Sequence, residues 1–233
     1  MTTPESASEA SRIRNLGLLL LPFLFCVGCG GKPTTADRVA THGASVKERL
    51  APACAAQGVA YPPTSLTLIG LKTERRLELW APDASGTPRL LKTYPVLGAS
   101  GGIGPKLREG DGQVPEGLYG IESLNPNSRF HLSLRVSYPN ADDRGRAKAD
   151  GRDRLGGDIM IHGSNQSIGC LAMGDPAAEE LFVLAALAGP ENVRVILSPV
   201  DFRQQADVTI PAGQPTWVPE LHAKIKTALE NYR

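Results

Sequence analysis

A mainly β, α+β fold is what the sequence predicts, with one helix inside the domain and flanking N- and C-terminal helices. Three observations predict it. Glycine (25) and proline (19) are plentiful while aromatic residues make up only 5% of 233, a turn-rich composition that favours strands over a helix bundle. Short alternating apolar runs recur between residues 65 and 162. Helical periodicity is confined to three stretches, near residues 36–56, 175–188 and 219–232.

The chain begins with what reads as an export signal over residues 1–28. Arg12 and Arg14 precede an apolar run from Leu16 to Val27 that is too short to span a bilayer stably. The run ends in Cys26-Val27-Gly28-Cys29, small residues before a cysteine, which resembles a bacterial lipoprotein signal cleaved before Cys29. Cys26 stands where leucine is usual, and a plain signal peptide or an uncleaved anchor is the alternative. Lipid on Cys29 would hold the domain to a membrane surface. Gly30 in place of an aspartate favours sorting to an outer membrane where the cell has one.

Residues 30–60 read as a short tether followed by an amphipathic helix, with Val39, Val46, Leu50 and Cys54 on one face. Cys54 there reads as a small core residue. The catalytic domain is expected over 61–205. Residues 65–71 and 77–80 form a hairpin across 72–76, with Leu66 and Leu68 alternating against Leu77 and Leu79. Residues 90–97 read as a strand stopped by Gly98-Ala99-Ser100-Gly101-Gly102. Residues 117–121, 131–137 and 158–162 are further strands. Residues 142–158 hold five acids, five bases and four glycines without periodicity, and read as a loop, either a flap beside the site or a floppy insertion. Asp175-Pro176 opens a helix as N-cap and first-turn proline, and Gly189-Pro190 stops it. Residues 193–197 are a buried strand, and the extension 206–233 ends in a helix.

Net charge is +1, and no basic stripe with interleaved aromatics is present, so nucleic acid is excluded as a partner. The informative stretch runs from Gly157 to Leu171. A strand delivers His162, a tight turn over Gly163-Ser164-Asn165-Gln166 reverses the chain, and Ser167-Ile168-Gly169 presents Cys170 just before a helix. A hairpin-like return would bring thiol and imidazole side by side. The imidazole, helped by the helix's positive end, would lower the thiol pKa. Gly169 has no Cβ to obstruct substrate, and its N–H with that of Cys170 would receive an oxyanion. The competing readings are a core histidine, a buried inert cysteine, and a disulfide between Cys170 and Cys54. Cys170 with His162 and His131 offers zinc no compact ligand pair, and neither metal nor cofactor is expected.

Several segments share a resemblance. Ile161-His162-Gly163 and Ser167-Ile168-Gly169-Cys170 resemble the signature of the YkuD-type L,D-transpeptidases, where a strand carries His-Gly and a later Ser/Thr-x-Gly-Cys carries the nucleophile. Leu77-Glu78-Leu79-Trp80, Gly98-Ala99-Ser100-Gly101 and Val114-Pro115-Glu116-Gly117-Leu118-Tyr119-Gly120-Ile121 are similar to further family segments. Gly104-Pro105-Lys106, Glu109-Gly110-Asp111, Leu124-Asn125-Pro126-Asn127-Ser128-Arg129, His131-Leu132-Ser133-Leu134 and Tyr138-Pro139-Asn140 look like the YafK-like branch. The resemblance covers roughly residues 60–205.

The resemblance implies a β-sandwich-like catalytic domain with a helix after the catalytic cysteine. It implies acyl transfer on peptidoglycan stem peptides containing meso-diaminopimelate, with Cys170 as nucleophile, His162 as base, and Gly169 and Ser167 in the catalytic motif. A murein-linked protein is a further partner that the branch suggests. The domain is expected at the periplasmic face of the envelope. Commoner members carry an arginine two residues after the cysteine, where Ala172 stands here. Another cation must then hold the substrate carboxylate, Arg129 first and Lys106 second, with Gly163 and His131 completing the substrate side. A non-catalytic murein-binding lipoprotein with Cys170 in a disulfide is the alternative.

Overall fold

The computed structural model describes residues 31–233. The export signal and Cys29 lie outside the described residues. Helix α1 (Thr35–Ala56) opens on a capping box in which Thr34 and Asp37 satisfy each other's backbone N–H groups. Its Val46, Leu50 and Cys54 enter the core. Strands β1 (Leu66–Leu71) and β2 (Arg76–Pro82) pair antiparallel, and β3 (Pro88–Pro95) adds outside β2. Then come β4 (Gly117–Ser128), β5 (His131–Val136), α2 (Ala141–Ala149), β6 (Met160–His162), β7 (Leu171–Ala172), α3 (Asp175–Ala188), β8 (Val193–Ser198) and α4 (Val218–Leu229). The eight strands form one mixed sheet in the order β3-β2-β1-β8-β4-β5-β6-β7.

The sheet is covered on both faces. Leu66, Leu68, Leu77 and Leu79 join α1 and α3 in one core cluster, while Ile69, Leu71 and Trp80 join Leu221, Ile225 and Leu229 of α4 in another. The alternation read in β1 is thus real, but both faces are apolar contacts, and every residue of that strand is buried. Strand β4 runs to Ser128, past the expected end at 121, because its first half pairs with β8 and its second half with β5.

Two sequence expectations are corrected. Residues 142–158 are no unstructured loop, since Ala141–Ala149 is helical. The helix is set by an Asn140–Asp143 capping box and by Arg146 and Lys148 in its last turn, with only Ala147 buried, so no apolar stripe announces it. The segment after it is not floppy. Arg152 donates to Leu107 O (2.7 Å) and Glu109 N–H to Arg154 O (2.9 Å), which pins it against the 105–113 loop. Asp175, read as a cap, is instead the first helical residue, and Gly174 takes the N-cap position. The Asp175 carboxylate accepts the Ser164 N–H at 2.8 Å and ties α3 to the turn after His162.

Candidate active site

Strand β6 and strand β7 run parallel, with Ile161 opposite Leu171 and His162 opposite Ala172. The hairpin-like reversal is therefore overturned. The 163–170 loop carries the chain back to the start of β6, so Cys170 enters beside Met160 rather than beside His162. The Met160 N–H points at Cys170 Sγ (3.3 Å), and the thiol donates to Asp158 O (3.4 Å). In a parallel pair opposite residues point to one face, so Ile161 and Leu171 take one face and His162 and Ala172 the other; Cys170, one residue before Leu171, falls on the His162 side. No hydrogen bond joins Cys170 to His162 among the described residues.

His162 is buried and its Nδ1 lies 2.6 Å from Gly163 O. That bond makes Nδ1 the protonated nitrogen and leaves Nε2 as the acceptor. Phe130 packs on the imidazole with ring centroids 4.7 Å apart. Burial pushes the His162 pKa down from its ordinary value, against the opposing pull of the Gly163 carbonyl. Burial also pushes the Cys170 thiol up, outweighing the Met160 N–H and Ser167, while the Lys106 ammonium pulls it down. The resting pair is neutral. The expected help from a helix end is absent, because β7 separates Cys170 from α3.

A raised thiol pKa keeps the S–H form to higher pH. Alkylation by iodoacetamide, whose rate follows the thiolate, is therefore expected to climb through a midpoint above the ordinary 9.0. A rate already saturated at neutral pH would contradict the neutral pair.

The two N–H groups expected to receive an oxyanion are already engaged. Cys170 N–H donates to Ser167 Oγ (3.1 Å) and Gly169 N–H to Ser100 Oγ (2.8 Å). Ser100 donates in turn to Gly112 O (2.6 Å). These hydroxyls must yield before either amide can face a substrate oxygen. Ser167 thus braces the Cys170 loop, and Ser100 joins that loop by a contact that spacing could not reveal. Gly169 has φ +79°, a conformation that strains any other residue. Ser100→Ala leaves a backbone N–H without its partner and is expected to cost about 1–3 kcal/mol in a denaturant titration.

The substrate-side residues fall in different places. Gly163 is enclosed rather than open to a ligand, because a Cβ there would lie 2.5 Å from Asp175 Oδ1 and 2.7 Å from Phe130 O. His131 is turned to Glu179 on α3, at 3.1 Å, and not to the thiol loop. Lys106 is no solvated surface charge; it is buried and paired with Asp111 at 2.7 Å. Arg129 is exposed in the β4–β5 turn, with no ion pair among the described residues. A groove of about 580 Å³ adjoins the loop, lined by Arg108, Arg152, Arg154 and Gln113. The Gln113 carbonyl lies 3.5 Å from where a Gly169 Cβ would be, so the groove opens beside the Cys170 loop. Cys54 and Cys170 are both free, Cys54 in the α1 core and Cys170 half-buried on its loop, which overturns the disulfide reading.

A mixed-sheet domain that offers a half-buried thiol and a neutral imidazole from neighbouring strands is the class that fold and site define. Comparison with known proteins narrows it. The YkuD profile, described as the L,D-transpeptidase catalytic domain, matches residues 68–196, and the chain belongs to that family. A protein of Escherichia coli (strain K12) that carries the provisional name L,D-transpeptidase YafK is 39% identical over 133 residues, 55% of this chain and 51% of the relative. The chain spans about half the length of the curated relatives it matches. Among solved structures, the helical cell shape determining protein Pgp2 from Campylobacter jejuni is similar with a TM-score of 0.47 and 22% identity, over 59% of this chain and 48% of that one. L,D-transpeptidase 1 of Mycobacterium tuberculosis is similar with a TM-score of 0.33 and 16% identity, over 57% and 61%. Family membership supports a peptidoglycan-modifying function.

Proposed function

We propose that this domain is a thiol acyl-transfer enzyme acting on peptidoglycan stem peptides through a Cys170 thioester. The observation that carries the reading is the pairing of Cys170 with a backbone N–H aimed at its sulfur and a histidine on the same sheet face whose Nδ1 is already fixed, leaving Nε2 as base. His162 takes the Cys170 proton, and the thiolate attacks a stem-peptide carbonyl. The C–N bond breaks, His162 returns the proton to the leaving amine, and an acyl thioester remains. A second nucleophile then attacks, His162 accepts its proton, and the thiol is regenerated. An amine acceptor gives transpeptidation; water gives an amidase or carboxypeptidase, including release of a murein-attached protein.

The acceptor carboxylate or diaminopimelate carboxylate needs a fixed cation. Arg129 and the groove residue Arg108 have exposed guanidinium groups available, whereas Lys106 is committed to Asp111 and acts on the site through its field. We place the domain at the periplasmic face, held by lipid on Cys29 after removal of residues 1–28, with 30–60 as tether and first helix, 61–205 as catalytic core and 206–233 as extension. Among the described residues no helix is long and apolar enough to cross a membrane. Incubation of the purified chain with sacculi, followed by mass spectrometry of muropeptides, tests the reading. Products that are hydrolysed or crosslinked at the stem peptide are expected, and their masses assign water or amine as acceptor. Unchanged sacculi with folded protein would sink it.

A further inference from the structure

We propose that His42, His131 and Glu179 form a binding site for a divalent transition metal of the zinc class. The three residues come from α1, the first position of β5 and α3. They are far apart in sequence, which is why no ligand pair shows there. Glu179 Oε1 lies 3.1 Å from His131 Nε2 and 3.4 Å from His42 Nδ1, and the three donor atoms all fall within 4.8 Å of one another. Zinc held tetrahedrally at about 2.0–2.2 Å by nitrogen and oxygen has ligand–ligand edges of about 3.3–3.6 Å. Two edges are therefore close to the required length before any ion arrives.

The surroundings suit a metal. The two imidazoles meet edge-on, with centroids 5.5 Å apart and planes at 83°, so they converge on the carboxylate rather than stack. Glu179 Oε2 is held by Arg49 Nη2 at 3.3 Å, which leaves Oε1 turned to the histidines. Two imidazoles and one carboxylate favour zinc, cobalt or nickel over magnesium or calcium, which take oxygen donors. Partial exposure of all three side chains leaves an entry path and a fourth position for water.

An ion here would staple α1 to the β4–β5 turn and to α3. That turn carries Phe130, whose ring packs on His162, and His131 Cβ is one of the atoms enclosing Gly163. Occupancy would thus steady one wall of the thiol site without touching the nucleophile. The metal-free reading is that both rings simply donate to one carboxylate oxygen.

The test uses the full chain carrying Cys26→Ala, Cys29→Ala and Cys170→Ala, which removes every thiol except Cys54, buried in the α1 core. Calorimetric titration with Zn²⁺ and absorption spectra with Co²⁺ are the readouts. One equivalent of bound zinc, a higher melting temperature with zinc, and a cobalt spectrum lacking a thiolate charge-transfer band are expected. His42→Ala and Glu179→Gln, each added to that background, should weaken binding at least about tenfold, since even groups that only orient metal ligands are worth 10–100-fold. Circular dichroism of both variants without metal checks that they fold. No zinc uptake, uptake unchanged in both variants, or a thiolate band in the cobalt spectrum overturns the site.

Discussion

Cys170→Ala is expected to lower muropeptide turnover at least about a thousandfold while leaving the fold intact. The size follows from what the side chain does: without sulfur there is no thioester, and only substrate positioning by the groove and backbone is left. The fold survives because Cys170 is half-buried on a loop whose course is set by other bonds. Ser167 holds the Cys170 N–H, Ser100 holds the Gly169 N–H, and Leu171 and Ala172 pair with β6. Only the contacts of one sulfur, to Met160 N–H and Asp158 O, are lost. Stability should therefore fall by no more than about 1–3 kcal/mol, the cost of leaving the Met160 N–H without its partner. Two measurements check this: product yield from sacculi, and a thermal or denaturant midpoint of the same preparation. Intact-mass analysis of the native protein during turnover should also show an acyl adduct that the variant never forms. Turnover by the variant within tenfold of the native rate would remove Cys170 from the chemistry.

The thiol and imidazole were legible because local sequence carried them: a strand ending in His162, a glycine turn and Gly169-Cys170. Helix α3 was legible for a similar reason, since Leu181 and Leu184 recur on its buried face. What the sequence could not show was the direction of the return. Strand β7 is two residues long, too short for any period to reveal that it runs parallel to β6. The state of the oxyanion donors was equally hidden, because Ser100 reaches Gly169 across 69 positions. Helix α2 escaped detection since its stability rests on caps and charges, signals that composition alone reads as a polar loop. Lys106 read as a cation for the substrate carboxylate, but the 105–113 loop folds Asp111 back onto it, a contact that spacing does not announce.

Glu116→Ala is expected to destabilise the domain by about 3–5 kcal/mol, the usual cost of stranding one partner of a buried ion pair. Glu116 is almost fully buried. Its Oε1 accepts from Lys72 Nζ (3.0 Å) and Gly104 N–H (2.7 Å), and its Oε2 lies 2.8 Å from His222 Nε2. One carboxylate thus joins the β1–β2 turn, the glycine-rich loop beside the site, and α4. Removal leaves the buried Lys72 ammonium with carbonyl and amide oxygens only, at Gly104, Val114 and Gln113. Glu116→Gln, which keeps the shape and part of the bonding, should cost less. The pH dependence has a definite sign. Burial alone would raise the Glu116 pKa, but the bonds from His222 and Lys72 outweigh it and hold the carboxyl below its ordinary value. A depressed folded pKa gives stability that is fully present above the unfolded value and lost as pH falls through the folded one. The gap between native and Glu116→Ala midpoints should therefore be widest near neutrality and narrow as the pH drops below the carboxylate range. Urea titrations across that range decide it. A gap independent of pH, or one that widens in acid, would mean that Glu116 holds these elements together by packing and not by its charge.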